Sequence, residues 1–361
     1  MTTLDRTLSV NIASAADPIQ RNCLRAELAA YVARLGKYER AKGIIAELRA
    51  DAQWSSVRLI ALIMFAEAIT QLQDEFASEA LDRLRRAFAI AKAANLQDLA
   101  STIAAWLAHF EYNAGSFGAA ATWVQQCRDR AVSMSDSGRA RLFLTFADAT
   151  RHVGNFAESD RWYSASRRLA VGLGDEAFLA ACMYNRAAYG IARARLDCLS
   201  SGIAPDLARR LMLEIESAAN YAAATGNLSA KYLQQMWRAR LLMILGKHAE
   251  ALPLIEAVMT NLPESKHPKM RVVLDADVAT CQLHLGNSNR AGEIYASLPR
   301  ETGNLLESDD EAIYTQQLAV LARRFGDRLT ATQCDDASAQ ALARHIFQIA
   351  CLKDLSAGFE A

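Results

Sequence analysis

The sequence carries no net charge, because its 40 basic and 40 acidic residues cancel. A chain without a global field has no general attraction for nucleic acid, anionic lipid or a strongly acidic partner, so neither nucleic acid nor membrane is expected among its partners. Cysteine pairing is missing too. The seven cysteines are an odd number, widely scattered, with no Cys-x-x-Cys spacing. That pattern fits reduced thiols buried as small hydrophobes, rather than a disulfide framework. No run approaches the roughly eighteen charge-free apolar residues of a membrane helix, and the first residues, MTTLDRTLSVNIASAADP, hold no unbroken apolar core of the signal-peptide kind. A soluble cytoplasmic protein is expected, and its richness in Ala and Arg points to a bacterial one. Gly-rich phosphate loops, a Walker lysine and a serine nucleophile elbow are all absent. So is any strand run bounded by turn residues. No enzyme activity and no cofactor are expected.

What the sequence does contain is helical periodicity. Of its 361 residues 52% are apolar and 22% charged, enough to build a sizeable core. The stretch from Leu228 to Pro263 reads as one helical hairpin. Leu233, Met236, Trp237, Leu241, Ile244 and Leu245 recur at helical spacing until Gly246, and Leu252, Ile255, Val258 and Met259 form a second face that ends at Pro263. Residues 1–17 read as a flexible polar leader, after which Asp17-Pro18 is an N-cap with proline at the first helical position. Further hairpins hinge at Gly36, Gly115, Gly154, Gly286 and Gly326, and one at Asp74 without glycine. The fifth pair is enlarged: its helices span Glu176 to about Leu199 and Pro205 to Thr225, joined by Ser200 to Asp206. The expected layout is a single array from residue 18 to 361, with seven or eight hairpins and a C-terminal capping helix.

The hinges set a period of 39 residues from Gly115 to Gly154, and of 40 from Gly246 to Gly286 and from Gly286 to Gly326. Self-similarity at that length indicates stacked helical hairpins. Seven residues before the six hinge glycines stand Ala29, Ala108, Ala147, Ala239, Ala279 and Ala319; five residues after them stand Ala41, Ala120, Ser159, Ala251, Ala291 and Ala331. Small residues at both positions allow the two helices of a hairpin to approach closely. Large residues, Ile45, Val124, Tyr163, Ile255 and Tyr295, stand nine after the glycine in five units, with Asp335 the exception. The small residue, the Gly-x-aromatic hinge of Gly36-Lys37-Tyr38, Gly115-Ser116-Phe117 and Gly154-Asn155-Phe156, and the terminal Pro263 resemble tetratricopeptide repeats over nearly the whole chain. Two departures stand out: units near 40 residues exceed the family's roughly 34, and Glu67 occupies a small-residue position.

The resemblance implies an all-α, right-handed superhelical solenoid whose concave face, lined by first helices, binds a protein or peptide partner. It equally allows a regulatory sensor that changes superhelical shape when a ligand or peptide binds. Positions six, three and two before each hinge should share one face. They supply the candidate ligand-binding residues His109, Tyr112, Asn113, Asp148, Arg151, His152 and Arg240; Asn185 and Tyr189 join them from the fifth unit. Arg34, Gln71, His284, Arg323 and Arg324 hold equivalent places. The competing reading makes all of these solvated or interhelical polar groups of an ordinary array. Cys281 and His284 lie three apart but lack a second pair for zinc. The Arg83/Arg85/Arg86 cluster reads as a solvated face, with Glu79 to Arg83 and Asp82 to Arg86 as i,i+4 pairs.

Overall fold

The computed structural model describes residues 2–51, 56–74, 78–227, 231–261, 268–303 and 305–360. Among them every regular element is helical. A first helix, α1 (Thr3–Ser14), precedes eight hairpins: α2 (Pro18–Arg34) with α3 (Tyr38–Ala50), α4 (Val57–Asp74) with α5 (Ser78–Ala93), α6 (Gln97–Asn113) with α7 (Phe117–Arg128), α8 (Asp136–His152) with α9 (Phe156–Leu173), α10 (Glu176–Asp197) with α11 (Pro205–Thr225), α12 (Lys231–Ile244) with α13 (His248–Asn261), α14 (Pro268–His284) with α15 (Ser288–Ser297), and α16 (Ser308–Arg324) with α17 (Arg328–Ile349). The non-glycine turn after Asp74 and the closing Pro263 fall outside the described residues.

Local chemistry accounts for the starts and stops. Asp17 accepts from the backbone N–H groups of Ile19 and Gln20, both at 3.1 Å, with Pro18 in the first turn as expected. At the hinges, Gly154 and Gly286 adopt φ of +85° and +84°, the left-handed region that lets a helix stop and the chain reverse at once. The small positions on either side are buried without exception. Ala29, Ala108, Ala147, Ala239, Ala279 and Ala319 are all inaccessible, and Ser159, the only hydroxyl in the second set, donates to the Ala147 carbonyl at 2.9 Å. At the exceptional Asp335 the buried apolar place passes to its neighbour Cys334, while the carboxylate turns outward to Arg323 at 2.5 Å. Glu67 takes both Arg49 (2.7 Å) and Arg83 (3.5 Å), so ion pairs to α3 and α5 occupy the place where a small side chain was expected.

The chain divides into two compact units. Unit 1 comprises Met1–Met183, Asn220–Ser229 and Leu352–Ala361; unit 2 comprises Tyr184–Ala219 and Ala230–Cys351. Two of the divisions fall within α10 and α11, the enlarged pair. Inside unit 1, α2 packs on α4 and α6 on α8; inside unit 2, α14 packs on α13 and α16. The unit 2 core holds Ile255, Val258, Leu274 and Cys281 around Met236 and Ala239, and a second cluster joins Tyr295, Tyr314, Leu318 and Cys334.

Residues 1–17 depart from the expected flexible leader, because Thr3–Ser14 is helical and anchored on unit 1. Asp5 is 2% exposed and accepts two bonds from the Arg40 guanidinium at 2.8 and 2.9 Å. Those bonds hold its carboxyl below the usual range. Thr2 Oγ1 meets Tyr31 Oη at 2.6 Å, and Leu8 is buried. One apolar residue and one salt bridge give too faint a periodic signal to read from sequence.

Candidate functional site

The nine candidate groove residues separate by unit and by burial. On α6 and α8 of unit 1, Tyr112 Oη lies 3.1 Å from His152 Nδ1, so the two helices are joined by an aromatic–imidazole bond. His109 sits between them: its Nε2 is 3.2 Å from Asn113 Nδ2 and its Nδ1 3.5 Å from Thr145 Oγ1. Burial, reinforced by the Arg141 charge, pushes His109 well below the ordinary imidazole range, and the ring is neutral at pH 7. Tyr163 donates to Asp148 at 2.5 Å, and the Arg151 guanidinium lies 3.5 Å from Asp160 and over the Phe156 ring at 5.0 Å. His109, Tyr112, Asp148, Arg151 and His152 are buried, whereas Asn113 is exposed. Asn185 and Tyr189, half-buried, belong to unit 2.

Arg240, also buried, belongs to a charge cluster inside unit 2. Asp277, with no exposed surface, accepts from Arg195 at 2.9 Å, from Arg240 at 3.3 Å and from Gln317 at 2.8 Å. Burial, and then the like charge of Arg240, push Arg195 below its ordinary range. Asp310, close enough to feel both arginines, is pushed up by burial and by Asp309. Trp237 stacks beside Arg240 at 5.0 Å and donates its indole N–H to Tyr184 at 3.0 Å. The six buried candidates therefore hold helices together, and the three remaining ones keep exposed surface.

Two concave features of unit 1 lie outside the nine candidates, although Arg34, read from sequence as an equivalent position, lines the first. The first is a cavity of about 280 Å³ under α1, walled by Leu8, Tyr31, Leu62, Phe65 and Trp106 and carrying the charges of Glu27, Arg34, Arg58, Asp98 and Asp175. Arg34 bonds Asp175 at 2.7 Å and lies over Tyr31 and Trp106 at 5.3 and 5.9 Å. Arg58 forms a two-point pair with Asp98, whose carboxyl it holds below the usual range. Behind the wall Arg141 is pressed against Trp106 at 3.7 Å and Phe178 at 4.6 Å, and burial lowers it to about 9.

The second feature involves the chain's own C-terminal segment. Leu352 and Leu355 are buried, and Arg128 Nη2 donates to the Ala357 carbonyl at 2.7 Å. The Arg128 guanidinium lies 5.5 Å over the Phe359 ring, which packs against the buried Phe146 at 5.2 Å. Beside this contact opens a cavity of about 470 Å³ lined by Gly358 and Phe359 together with Met134, Arg139, Phe143 and Arg168. Neither feature repeats with the hairpins, so no periodic pattern in the sequence reports them.

The remaining motifs resolve into packing. Cys281 faces the unit 2 core, where burial pushes its thiol up to about 12, while the exposed His284 stacks on His248 at 4.1 Å. Arg83 and Arg85 pair with Glu67 (3.5 Å) and Glu111 (2.5 Å) on neighbouring helices, and Arg85 also pairs with Asp82 one turn away at 2.6 Å. The carboxylates of Asp309, Asp310 and Glu311 stand in the first turn of α16, where the helix dipole favours negative charge. No helix among the described residues is long and apolar enough to cross a membrane. No protein-family model matches the chain, and a search of curated proteins finds no match either.

Proposed function

We propose that this protein is a non-enzymatic binding module built of tetratricopeptide-like hairpins, whose unit 1 takes an extended segment of a protein partner. The observation that supports this reading is the seat of residues 352–360. An arginine that donates to a backbone carbonyl recognises polypeptide whatever its sequence, and a recess that accepts an aromatic ring adds selectivity. Arg128 supplies the first and Phe146 part of the second. Arg139 and Arg168 beside Phe359 favour a segment whose aromatic residue has an acidic neighbour, as Glu360 is here. Two of the buried thiols are poorly placed for covalent chemistry: burial pushes Cys127 and Cys182 up to about 12, away from the reactive thiolate.

The test uses the full chain with Phe359→Ala, which loosens its own segment, and a fluorescent peptide of sequence LKDLSAGFEA. Binding should appear in anisotropy, and should vanish both for the peptide with Ala in place of Phe and for a protein that also carries Arg128→Ala. Equal binding of the two peptides would overturn the reading. The alternative, a ligand-responsive sensor, draws support from the charged cavity under α1.

A further inference from the structure

The cavity under α1 has a chemistry that peptide binding elsewhere on unit 1 does not use. Its lining carries two arginines and three carboxylates. Four of these five charges are already paired: Arg34 with Asp175 and Arg58 with Asp98. The fifth, Glu27, lines the cavity from a solvent-exposed position and has no hydrogen-bond or ion-pair partner among the described residues. Surrounding protein raises its carboxyl above the ordinary range, with Arg58 opposing the rise and Asp98 adding to it. Across the space stand Phe65 and Trp106, edge to face at 6.1 Å, with Leu62 next to them. The wall is thus apolar and aromatic on one side, with the exposed, unpaired Glu27 carboxylate on the other.

We propose that this cavity binds a small amphipathic amine, its ammonium on Glu27 and its apolar body against Phe65 and Trp106. A charge-assisted bond to a carboxylate is among the stronger polar contacts, and the aromatic rings offer the apolar body a surface to pack on. An anion would meet a lining with one excess negative charge. A neutral ligand would take water from the exposed Glu27 carboxylate without balancing its charge, which weakens its binding relative to an amine. The volume of about 280 Å³ lies just below the range of about 300–1,000 Å³ for small-molecule sites, so the body is one or two fused rings or a short alkyl chain.

The experiment is a calorimetric titration of the full chain at pH 7.5 with tryptamine, its neutral counterpart tryptophol and the anion indole-3-propionate. Tryptamine should bind at least about ten-fold more tightly than tryptophol, the scale expected of one hydrogen bond to a charged group, and the anion should be weakest. Glu27→Gln should remove the preference for tryptamine while leaving tryptophol binding and the melting temperature unchanged. The proposal fails if tryptamine and tryptophol bind alike, if the Gln variant keeps full tryptamine affinity, or if neither tryptamine, phenethylamine nor hexylamine binds at millimolar concentration. Should the Gln variant not fold, the ranking of the three indole ligands on the native chain decides by itself. These outcomes are independent of the peptide reading, which rests on Arg128 and Phe359.

Discussion

Removing the carboxylate of Asp277 tests how far unit 2 depends on a single buried group. Asp277 is wholly inaccessible and serves three donors, two of them guanidiniums that are 7% and 4% exposed. Asp277→Ala deletes the shared acceptor and leaves Arg195 and Arg240 with two desolvated positive charges side by side. Breaking a buried ion pair from one side costs about 3–5 kcal/mol, and the two arginines place this site toward the upper end. Asp277→Asn keeps an acceptor oxygen of nearly the same shape and should cost less, about 1–3 kcal/mol. Urea unfolding followed by circular dichroism measures both values. A third variant sharpens the argument. Asp277→Leu combined with Arg195→Met and Arg240→Met removes every charge at once, and hydrophobic replacement of a buried ionic cluster is commonly neutral or stabilising by about 1–4 kcal/mol. It should recover most of the stability lost by Asp277→Ala. If Asp277→Ala falls within about 0.5 kcal/mol of the parent, as surface substitutions do, the cluster is not the desolvated network described and the reasoning is wrong.

Three further outcomes follow from other parts of the chain. At Gly246, φ is +72° and an added Cβ would meet nothing within 4 Å, so Gly246→Ala should cost about 1–2 kcal/mol from backbone strain alone, seen as a lower melting temperature, while Gly246→Asn should cost less. His109 stays neutral in the folded protein whereas the unfolded chain takes up a proton below about pH 6.5, so stability should fall as the pH drops below that value, by up to about 1.4 kcal/mol per pH unit for this ring. His248 and His345 are also pushed down by burial and act in the same direction, so His109→Gln should flatten the acid limb of the stability profile without abolishing it. Iodoacetamide should label the exposed Cys351 in the native protein, and Cys127, Cys182 and Cys281 only after denaturation; mass spectrometry of the digests would show any other order.

The repeat itself was legible because backbone geometry restricts residue types at fixed spacing. A left-handed hinge demands glycine at Gly154 or Gly286, and close helix approach demands a small residue at Ala147 or Ala279, so the spacing of these residues reports the hairpin directly. The polar positions carried less information. Helical spacing places His109, Asp148 and Arg240 on a face, yet it says nothing of what that face meets, and here it meets the next helix. The cavity under α1 was illegible for a related reason: Glu27, Phe65 and Asp98 come from α2, α4 and α6 and Asp175 from the residue just before α10, and only the stacking of those hairpins brings them together. Glu67 and Asp335, the two breaks in the pattern, were visible in the sequence, but their arginine partners were not.

Unit 1 is discontinuous in the chain: its first segment ends at Met183 and its last begins at Leu352, with all of unit 2 lying between. During synthesis, then, the recess formed by Arg128 and Phe146 leaves the ribosome long before Phe359 does. For that interval it stands open, an apolar and positively charged surface with nothing of its own to cover it. A nascent chain in this state offers chaperones a recognisable feature that residues 352–360 later cover. A stop before residue 352 should therefore yield a product with a longer chaperone-bound lifetime even where each hairpin has formed.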